Sequence, residues 1–196
     1  MTRKYRINEI FYSLQGEGRN TGRAAVFVRF AGCNLKCSFC DTDFSHFSEM
    51  TIQDIVDRMN ELIGSPTCKP MVVLTGGEPT LQVDADLIDR LHNEGYDMVA
   101  MESNGTAVPP SNLDWLTVSP KGKVNIDRCN ELKCIYNEDG LLAYPSEVIA
   151  DYKYVQPCDT GDTERNSQIV SRAIEFVEQH PDWRLSLQTH KMIGFK

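Results

Sequence analysis

The chain lacks any long apolar run and any excess of positive charge. No apolar stretch approaches the roughly 18 residues that a membrane-spanning helix needs, so no membrane partner is expected. The 196 residues carry 28 acidic side chains against 20 lysines and arginines, which gives a net charge of −8. Such a surface repels phosphate backbones, and we expect no nucleic-acid partner. No apolar segment follows the basic residues near the N-terminus, which argues against a signal peptide and predicts a cytoplasmic protein.

Internal repeats, low-complexity tracts and linkers are absent as well, so we expect residues 1–196 to form one domain. Short apolar runs alternate with helical patterns near residues 51–62, 87–91 and 163–179, which predicts a parallel α/β sheet. The predicted strands are Ala24–Phe30, Met71–Thr75, Met98–Glu102, Leu116–Val118, Glu131–Ile135, Lys153–Gln156 and Arg184–Gln188. A closed eight-stranded barrel typically needs about 250 residues. We therefore predict a partial, open TIM-like βα barrel of about six parallel strands with few helices.

The chain has seven cysteines, and without a secretory signal a disulfide framework is not expected. Three of them, Cys33, Cys37 and Cys40, share one short segment. A closed structural zinc site needs four ligands, whereas three thiolates can hold a 4Fe–4S cluster with one iron left open. The number three therefore favours a reactive cluster. The remaining four are scattered and are expected to be small buried residues: Cys68, Cys129, Cys134 and Cys158.

Polar motifs follow most of the predicted strands at their C-terminal ends, where the chemistry of such architectures is found. These motifs are the cysteine segment, Gly76–Pro79, Glu102–Gly105, Ser119–Lys121, Gln156-Pro157 and Gln188–Lys191. Because the C-terminal ends of parallel strands meet at one edge of a sheet, this shared placement predicts one site.

The spacing C-x3-C-x2-C, with Phe39 before the last cysteine, resembles the radical S-adenosylmethionine (SAM) superfamily. The run Gly76–Pro79 at the end of a strand is similar to that family's second motif. The resemblance implies a 4Fe–4S cluster on the three clustered cysteines, with SAM chelating the open iron. In such enzymes the cofactor carries the difficult chemistry and the protein positions it. Gly76 and Gly77 would let the backbone approach the methionine amino group, where a side chain would block it.

Further segments resemble the family of 7-carboxy-7-deazaguanine synthases, namely Phe11–Gly18, Asp41-Thr42, Ser119–Lys121, Gln156-Pro157 and His190-Lys191. Members of that family convert 6-carboxy-5,6,7,8-tetrahydropterin to 7-carboxy-7-deazaguanine with release of ammonia, in queuosine and 7-deazapurine biosynthesis. The resemblance implies the same lyase activity here, with a 4Fe–4S cluster, SAM and Mg²⁺ as cofactors. It also implies a homodimer and an external one-electron reductant, a flavodoxin or a ferredoxin.

The resemblance also assigns residues to each ligand. SAM is expected to contact Phe39, Cys40, Asp41, Gly77, Glu102, Ser103, Ser119, Pro120, Lys121, Gln156, Pro157, Cys158 and Asp159. The pterin is expected to contact Leu14, Gln15, Gly16, Glu17, Arg29, Thr75 and Lys196. Thr42 would bind Mg²⁺ through its hydroxyl, a hard oxygen donor, and Arg29 would face the substrate carboxylate. His190 is a candidate proton-transfer group, and no other catalytic residue is assigned.

Two other functions remain open at this point. A glycyl-radical-activating enzyme would share the cysteine spacing but act on a polypeptide, whereas Leu14–Gly18 and Asp41-Thr42 suit a small polar ring. A structural zinc or iron–sulfur module would need a fourth ligand from His46 or a remote cysteine. Bound metal and anaerobic ultraviolet–visible spectra distinguish these functions, because zinc gives no charge-transfer bands.

Overall fold

The computed structural model describes residues 2–40, 42–43 and 45–196. In chain order the strands are β1 (Tyr5–Leu14), β2 (Ala24–Phe30), β3 (Ser48–Met50), β4 (Met71–Gly76), β5 (Val99–Ser103), β6 (Trp115–Val118), β7 (Arg128–Asn137), β8 (Gly140–Leu141), β9 (Ile149–Pro157) and β10 (Trp183–Leu185). The helices are α1 (Ile52–Ile63), α2 (Ala85–Asn93), α3 (Thr163–Gln179) and α4 (Thr189–Ile193). No helix in the described ranges is long and apolar enough to cross a bilayer.

The strands form one mixed sheet in the order β10-β9-β7-β6-β5-β4-β2-β1-β3, with β8 paired to β7. The seven neighbouring strands β10, β9, β7, β6, β5, β4 and β2 run parallel to one another. Strands β1 and β3 add an antiparallel edge beside β2. The described residues show no pairing between β3 and β10, so the sheet does not close. The predicted partial barrel is confirmed, with seven parallel strands where about six were expected.

The helices begin and end where their sequences carry capping residues. Thr51 accepts a hydrogen bond from the backbone N–H of Asp54, whose carboxylate accepts one from the Thr51 N–H, and Gly64 follows the last turn. Asp84 caps α2 and also accepts a 2.8 Å hydrogen bond from the Tyr5 hydroxyl. The apolar side of α1, with Ile55 buried, then packs on the sheet. These caps satisfy backbone donors that the first helical turn leaves unpaired.

The two faces of the sheet differ sharply in what covers them. Helices α1, α2 and α3 pack on one face and form the larger apolar core with alternate strand residues such as Val28 and Leu74. On the other face a smaller apolar cluster, Ala25, Met71, Val73 and Ala100, lies toward the N-terminal ends of the strands. Because side chains alternate along a strand, the same face ends in polar residues: Arg29, Thr75 and Glu102. We call this the helix-free face, because none of the three longer helices, α1, α2 and α3, packs on it.

Strand β1 was not predicted, and it changes the position of the N-terminal motif. Ala24–Phe30 is the first strand that the sequence pattern predicts, whereas β1 precedes it and pairs with it. An extra residue, Asn8, interrupts the register, since Ile7 pairs with Phe30 and Glu9 with Arg29. This bulge turns the following side chains to the opposite face. Ile7 therefore lies in the helix-side core, while Glu9 reaches Arg29 on the helix-free face.

The C-terminal region and two cysteines also depart from expectation. The last strand ends at Leu185 instead of Gln188, and His190 lies on α4, which was not predicted. Cys129 and Cys134 are buried as expected. The prediction of burial is wrong for Cys68, which is exposed, and for Cys158, which is half-buried.

The segment after β1 crosses the helix-free face. Gln15 Nε2 donates to Glu102 Oε1 at 2.9 Å, and the Arg19 backbone N–H donates to Glu131 Oε2 at 2.8 Å. Gly18 has φ of 64°, and a Cβ there would lie 2.0 Å from Glu131 Oε1. A side chain at position 18 is therefore excluded both by backbone conformation and by lack of space. We call residues 15–20 the crossing segment.

We predict that Glu131→Gln stabilises the protein at alkaline pH. Burial raises the pKa of Glu131 to about 7, against the lowering effects of Lys133 and the Arg19 N–H. Because the folded-state pKa exceeds the unfolded one, folding binds a proton between pH values of about 4.5 and 7, and stability falls as pH rises through that window. Glutamine keeps an acceptor for Arg19, so at pH 8 the variant should gain about 1–3 kcal/mol.

Thermal unfolding at pH 5, 6, 7 and 8 measures this effect. The stability difference should vanish near pH 5. The matched control is Asp151→Asn, an exposed carboxylate paired with Arg128 on the neighbouring strand. Identical pH slopes for wild type and Glu131→Gln would contradict the prediction.

Candidate active site

The three clustered cysteines lie on the loop that leaves the C-terminal end of β2. Gly32 starts the loop with φ of 91°, a conformation that favours glycine. Cys33 and Cys37 are half-buried and Cys40 is exposed. The loop is held by local hydrogen bonds, such as that from the Cys40 N–H to the Cys37 carbonyl at 3.3 Å.

The thiols are close enough to influence one another. The pKa of Cys37 is raised chiefly by burial, with Cys33 and Cys40 adding to the rise and Lys121 opposing it. In the described ranges no three Cys, His, Asp or Glu side chains converge on a single point, as the ligands of one mononuclear ion do. Three thiolates that each bind a different iron need not converge on one point. The donor set therefore fits a 4Fe–4S cluster with one open iron.

Gly76, the last residue of β4, and Gly77 pack against the base of the cysteine loop. A Cβ at Gly76 would lie 2.1 Å from the Phe30 carbonyl oxygen, and one at Gly77 would lie 2.0 Å from the Gly32 carbonyl oxygen. The Gly77 N–H donates to the Phe30 carbonyl at 3.0 Å. Close backbone packing thus gives a reason for both glycines that is independent of any ligand.

Glu78 in the same motif serves as an internal support. Its side chain is fully buried and accepts hydrogen bonds from Ser103 Oγ at 2.9 Å and from the Asn104 N–H at 2.7 Å. The end of β5 is thereby joined to the end of β4. A buried carboxylate that is hydrogen-bonded in this way fixes the two strand ends relative to each other.

A cavity of about 1090 Å³ opens at the C-terminal ends of the parallel strands. It exceeds the volume of about 300–1,000 Å³ of an ordinary ligand pocket, which suits a cofactor together with a substrate. Most of the residues predicted for the site line this cavity: Leu14, Gln15, Gly16, Glu17, Arg29, Cys33, Cys37, Phe39, Cys40, Thr42, Thr75, Gly77, Glu102, Ser103, Ser119, Lys121, Gln156, Pro157, Cys158, Asp159, His190 and Lys196. Pro120 is buried and is not among the lining residues. Asp41 lies outside the described residues.

A cationic group stands on one side of the cavity. Arg29 Nε donates to Glu9 Oε1 at 2.9 Å, and its Nη1 donates to Thr42 Oγ1 at 3.3 Å. Lys196 Nζ lies 2.5 Å from the other oxygen of Glu9. Burial opposes ionisation of Glu9, but hydrogen bonds from Lys196 and Arg29 outweigh it and lower its pKa. Glu9 was missed because the sequence analysis did not predict the strand that carries it.

A buried charge cluster stands on another side. Lys133 Nζ lies 2.5 Å from Glu17 Oε2 and 2.9 Å from Glu102 Oε2. The side-chain amide of Gln15 donates to Glu102 at 2.9 Å, and that of Gln188 donates to Glu17 at 2.9 Å. Lys133 was also missed, although a lysine inside the predicted strand Glu131–Ile135 is a signal, since an isolated charge is rarely buried without a partner.

Two further predicted residues already have protein partners at the cavity wall. Lys121 donates to Ser119 Oγ at 2.6 Å, and burial together with the Lys133 charge lowers the pKa of Lys121. Asp159 binds Lys191 at 2.8 Å, and hydrogen bonds from Lys191, the Gly161 N–H and Asn166 hold its pKa at about 2. Asp159 is therefore an anion throughout the physiological range.

His190 packs directly against the crossing segment. A Cβ at Gly16 would lie 2.5 Å from His190 Nδ1, and the Gly16 carbonyl accepts hydrogen bonds from the Thr189 N–H at 3.0 Å and its Oγ1 at 2.8 Å. Gly16 is therefore needed for α4 to close over this side of the cavity.

Comparison with known proteins gives a consistent result. A family profile described as the radical SAM superfamily matches residues 27–127. The 7-carboxy-7-deazaguanine synthase of Bacteroides thetaiotaomicron is 45% identical, over 97% of this chain and 98% of that protein. The enzyme of the same name from Bradyrhizobium diazoefficiens is 41% identical, over 98% and 99% of the two chains. The crystal structure of QueE from Escherichia coli matches with a TM-score of 0.73 and 28% identity, over 95% of both chains.

Membership of the superfamily establishes the cofactors as a 4Fe–4S cluster and SAM. The chain acts on a small-molecule substrate together with SAM and needs an external electron donor. The chain thus belongs to the radical SAM superfamily and, within it, to the family of 7-carboxy-7-deazaguanine synthases.

Proposed function

We propose that the chain catalyses the radical ring contraction of 6-carboxy-5,6,7,8-tetrahydropterin to 7-carboxy-7-deazaguanine with release of ammonia, as a carbon–nitrogen lyase of queuosine biosynthesis. The observation that carries this proposal is the cavity that the three clustered cysteines, the Arg29–Thr42 pair and Glu17 line together. The curated relatives, similar over nearly the whole chain, are named for that reaction.

The residues of this chain bind and orient the substrate. The bound cluster and SAM supply a one-electron cleavage of the sulfonium that begins hydrogen abstraction. Arg29 receives the pterin carboxylate on its terminal nitrogens, because its Nε is held by Glu9. The carboxylate of Glu17 accepts hydrogen bonds from the N–H groups of the guanidine-like edge of the ring.

The remaining assignments complete the proposed site. Leu14, Gln15, Gly16, Thr75 and Lys196 contact the pterin. Phe39, Cys40, Asp41, Gly77, Glu102, Ser103, Ser119, Lys121, Gln156, Pro157, Cys158 and Asp159 bind SAM. His190 is the candidate for proton transfer to the departing nitrogen. Pro120, which does not line the cavity, acts by shaping the loop that carries Ser119 and Lys121.

Thr42 is the proposed protein ligand of Mg²⁺. Its hydroxyl supplies one hard oxygen, and the substrate carboxylate and water supply the others, as is usual for this ion. The Arg29 guanidinium beside the hydroxyl would then bind the same carboxylate from its other side. With Thr42 holding it, Mg²⁺ would supply charge neutralisation and orientation of the substrate carboxylate.

The proposal also includes the assembly and the surroundings of the enzyme. Residues 1–196 act as one domain, and the chain forms a homodimer that takes its electron from a flavodoxin or a ferredoxin. It works in the cytoplasm, where thiols such as those proposed to hold the cluster stay reduced. A glycyl-radical-activating function is not favoured, because the full-length relatives carry a different name and because the lining is that of a small polar ligand site.

Reconstitution tests the function directly. With a reduced cluster, SAM, Mg²⁺ and the pterin, we expect 7-carboxy-7-deazaguanine to appear in mass spectra. Cys37→Ala should lower the rate at least about 100-fold and remove the charge-transfer absorbance. Cys68→Ala is the matched control, because that thiol is exposed and does not line the cavity. A loaded wild-type enzyme that cleaves SAM but forms no deazaguanine would rule the proposal out.

The metal assignment has its own test. Thr42→Val keeps the side-chain shape and removes the oxygen, so we expect kcat/KM to fall about 10–100-fold and its dependence on Mg²⁺ concentration to shift upward. Thr42→Ser should restore both. An unchanged Mg²⁺ titration in Thr42→Val would assign the ion to other ligands.

A further inference from the structure

Lys133 is a buried cation that the proposed chemistry does not use. Its side chain is only 3% exposed, and its ammonium touches two carboxylates that come from different parts of the chain. Glu17 belongs to the crossing segment, and Glu102 stands near the end of β5. Lys133 on β7 therefore joins these two carboxylates directly.

The contacts around Lys133 form a closed ring. Gln15 donates to the second oxygen of Glu102 at 2.9 Å, and its own side-chain oxygen accepts the Glu17 N–H at 3.2 Å. Gln188 donates to the second oxygen of Glu17 at 2.9 Å. Each carboxylate is thus bound from two sides, which leaves little freedom to rotate. All five of these residues line the cavity.

The charge of Lys133 keeps Glu17 ionised despite its surroundings. Burial by itself would raise the pKa of Glu17, but the Lys133 charge, its hydrogen bond and the Gln188 amide lower it to about 2. The titratable groups that influence Glu17 or Lys133 are Glu102, Lys121, Glu131 and His190. Replacing a whole buried ion pair by apolar residues is often neutral or stabilising, so stability alone gives little reason to bury such a pair.

We propose that Lys133 is a positioning residue for substrate recognition, which clamps Glu17 to Glu102 so that the crossing segment presents an ionised acceptor to the N–H edge of the pterin. This inference rests on the proposed function, because it takes the pterin as the ligand. It assigns to Lys133 a specificity role that acts through Glu17, with no contact to the reacting atoms. Without the ammonium, Glu17 would be protonated near neutral pH or turned away, and the edge would lose its acceptor.

The test uses cluster-loaded protein with SAM and measures binding of 6-carboxypterin, an unreactive oxidised analogue, by calorimetry between pH 5.5 and 8.5. Lys133→Met should weaken binding at least about tenfold at neutral pH. In this variant the affinity should also fall as the pH is lowered through the new pKa of Glu17. The wild type should show no such fall. KM for the pterin should rise in parallel, and by a larger factor than KM for SAM, which Glu102, the other partner of Lys133, is proposed to contact. The control is Lys153→Met. Lys153 lies on the neighbouring strand β9 and is paired with Asp182.

A double variant separates positioning from folding. Lys133→Met leaves two buried carboxylates unpaired and is expected to lower the melting temperature. Lys133→Met/Glu17→Gln should recover much of that loss but keep the weakened binding. If both residues act through one route, the affinity loss of the double variant will not exceed that of the larger single one.

Three results would contradict a positioning role for Lys133. A Lys133→Met protein with wild-type affinity and pH profile, or affinity losses that multiply in the double variant, would overturn the inference. So would a change in KM for SAM instead of the pterin. If the wild type binds 6-carboxypterin but forms no product from the reduced substrate, the proposed function fails and the binding data still decide the role of Lys133. If the wild type neither binds the analogue nor forms product from the reduced substrate, both proposals fail. If it forms product without binding the analogue, KM for the reduced pterin decides the role of Lys133.

Discussion

The site depends on the tight pairing between the ends of β2 and β4. Phe30 pairs with Gly76, and the backbones approach so closely that a single Cβ at Gly76 or Gly77 would fall about 2 Å from a carbonyl oxygen. This contact holds the base of the cysteine loop against the Gly76–Pro79 turn. Glu78 then carries the constraint onward to the end of β5. A cofactor that needs three thiolates on one side and a close backbone on the other depends on this geometry being rigid.

The second requirement is the cover of the helix-free face. An open sheet with helices on one side leaves its other face without a partner layer, and the lower part is filled by a small apolar cluster. The upper part is filled by charge, with Lys133, Glu131, Glu102 and the crossing segment bound to one another. Buried charges in such a place are costly unless each has a partner. The same arrangement that seals the partial barrel therefore supplies the polar wall of the cavity.

The cavity has two polar sides of opposite character. Arg29, Lys196 and Thr42 surround the side suited to an anion, whereas Glu17 and Glu102 supply acceptors on the other. A pterin with a carboxylate at one end and a guanidine-like edge at the other has the complementary polarity. Complementary charge of this kind sets the orientation of a ligand more than its affinity. In our proposal Lys133 does not contact the substrate itself but holds the two acceptors, Glu17 and Glu102, in place.

The sequence by itself determined the fold class and singled out the three clustered cysteines, because strand pattern and cysteine spacing are local properties. The family resemblance added a set of site residues, nearly all of which line the cavity. Only Pro120 among the described predictions does not line the cavity, and Asp41 lies outside the described residues. The tertiary structure alone decided which face Glu9 occupies, since a bulge at Asn8 reverses the alternation of β1. It also decided the partners of Lys133, because Glu17 and Glu102 lie 116 and 31 residues away in the chain. No local pattern encodes a contact of that kind, which exists only once the crossing segment is folded onto the sheet.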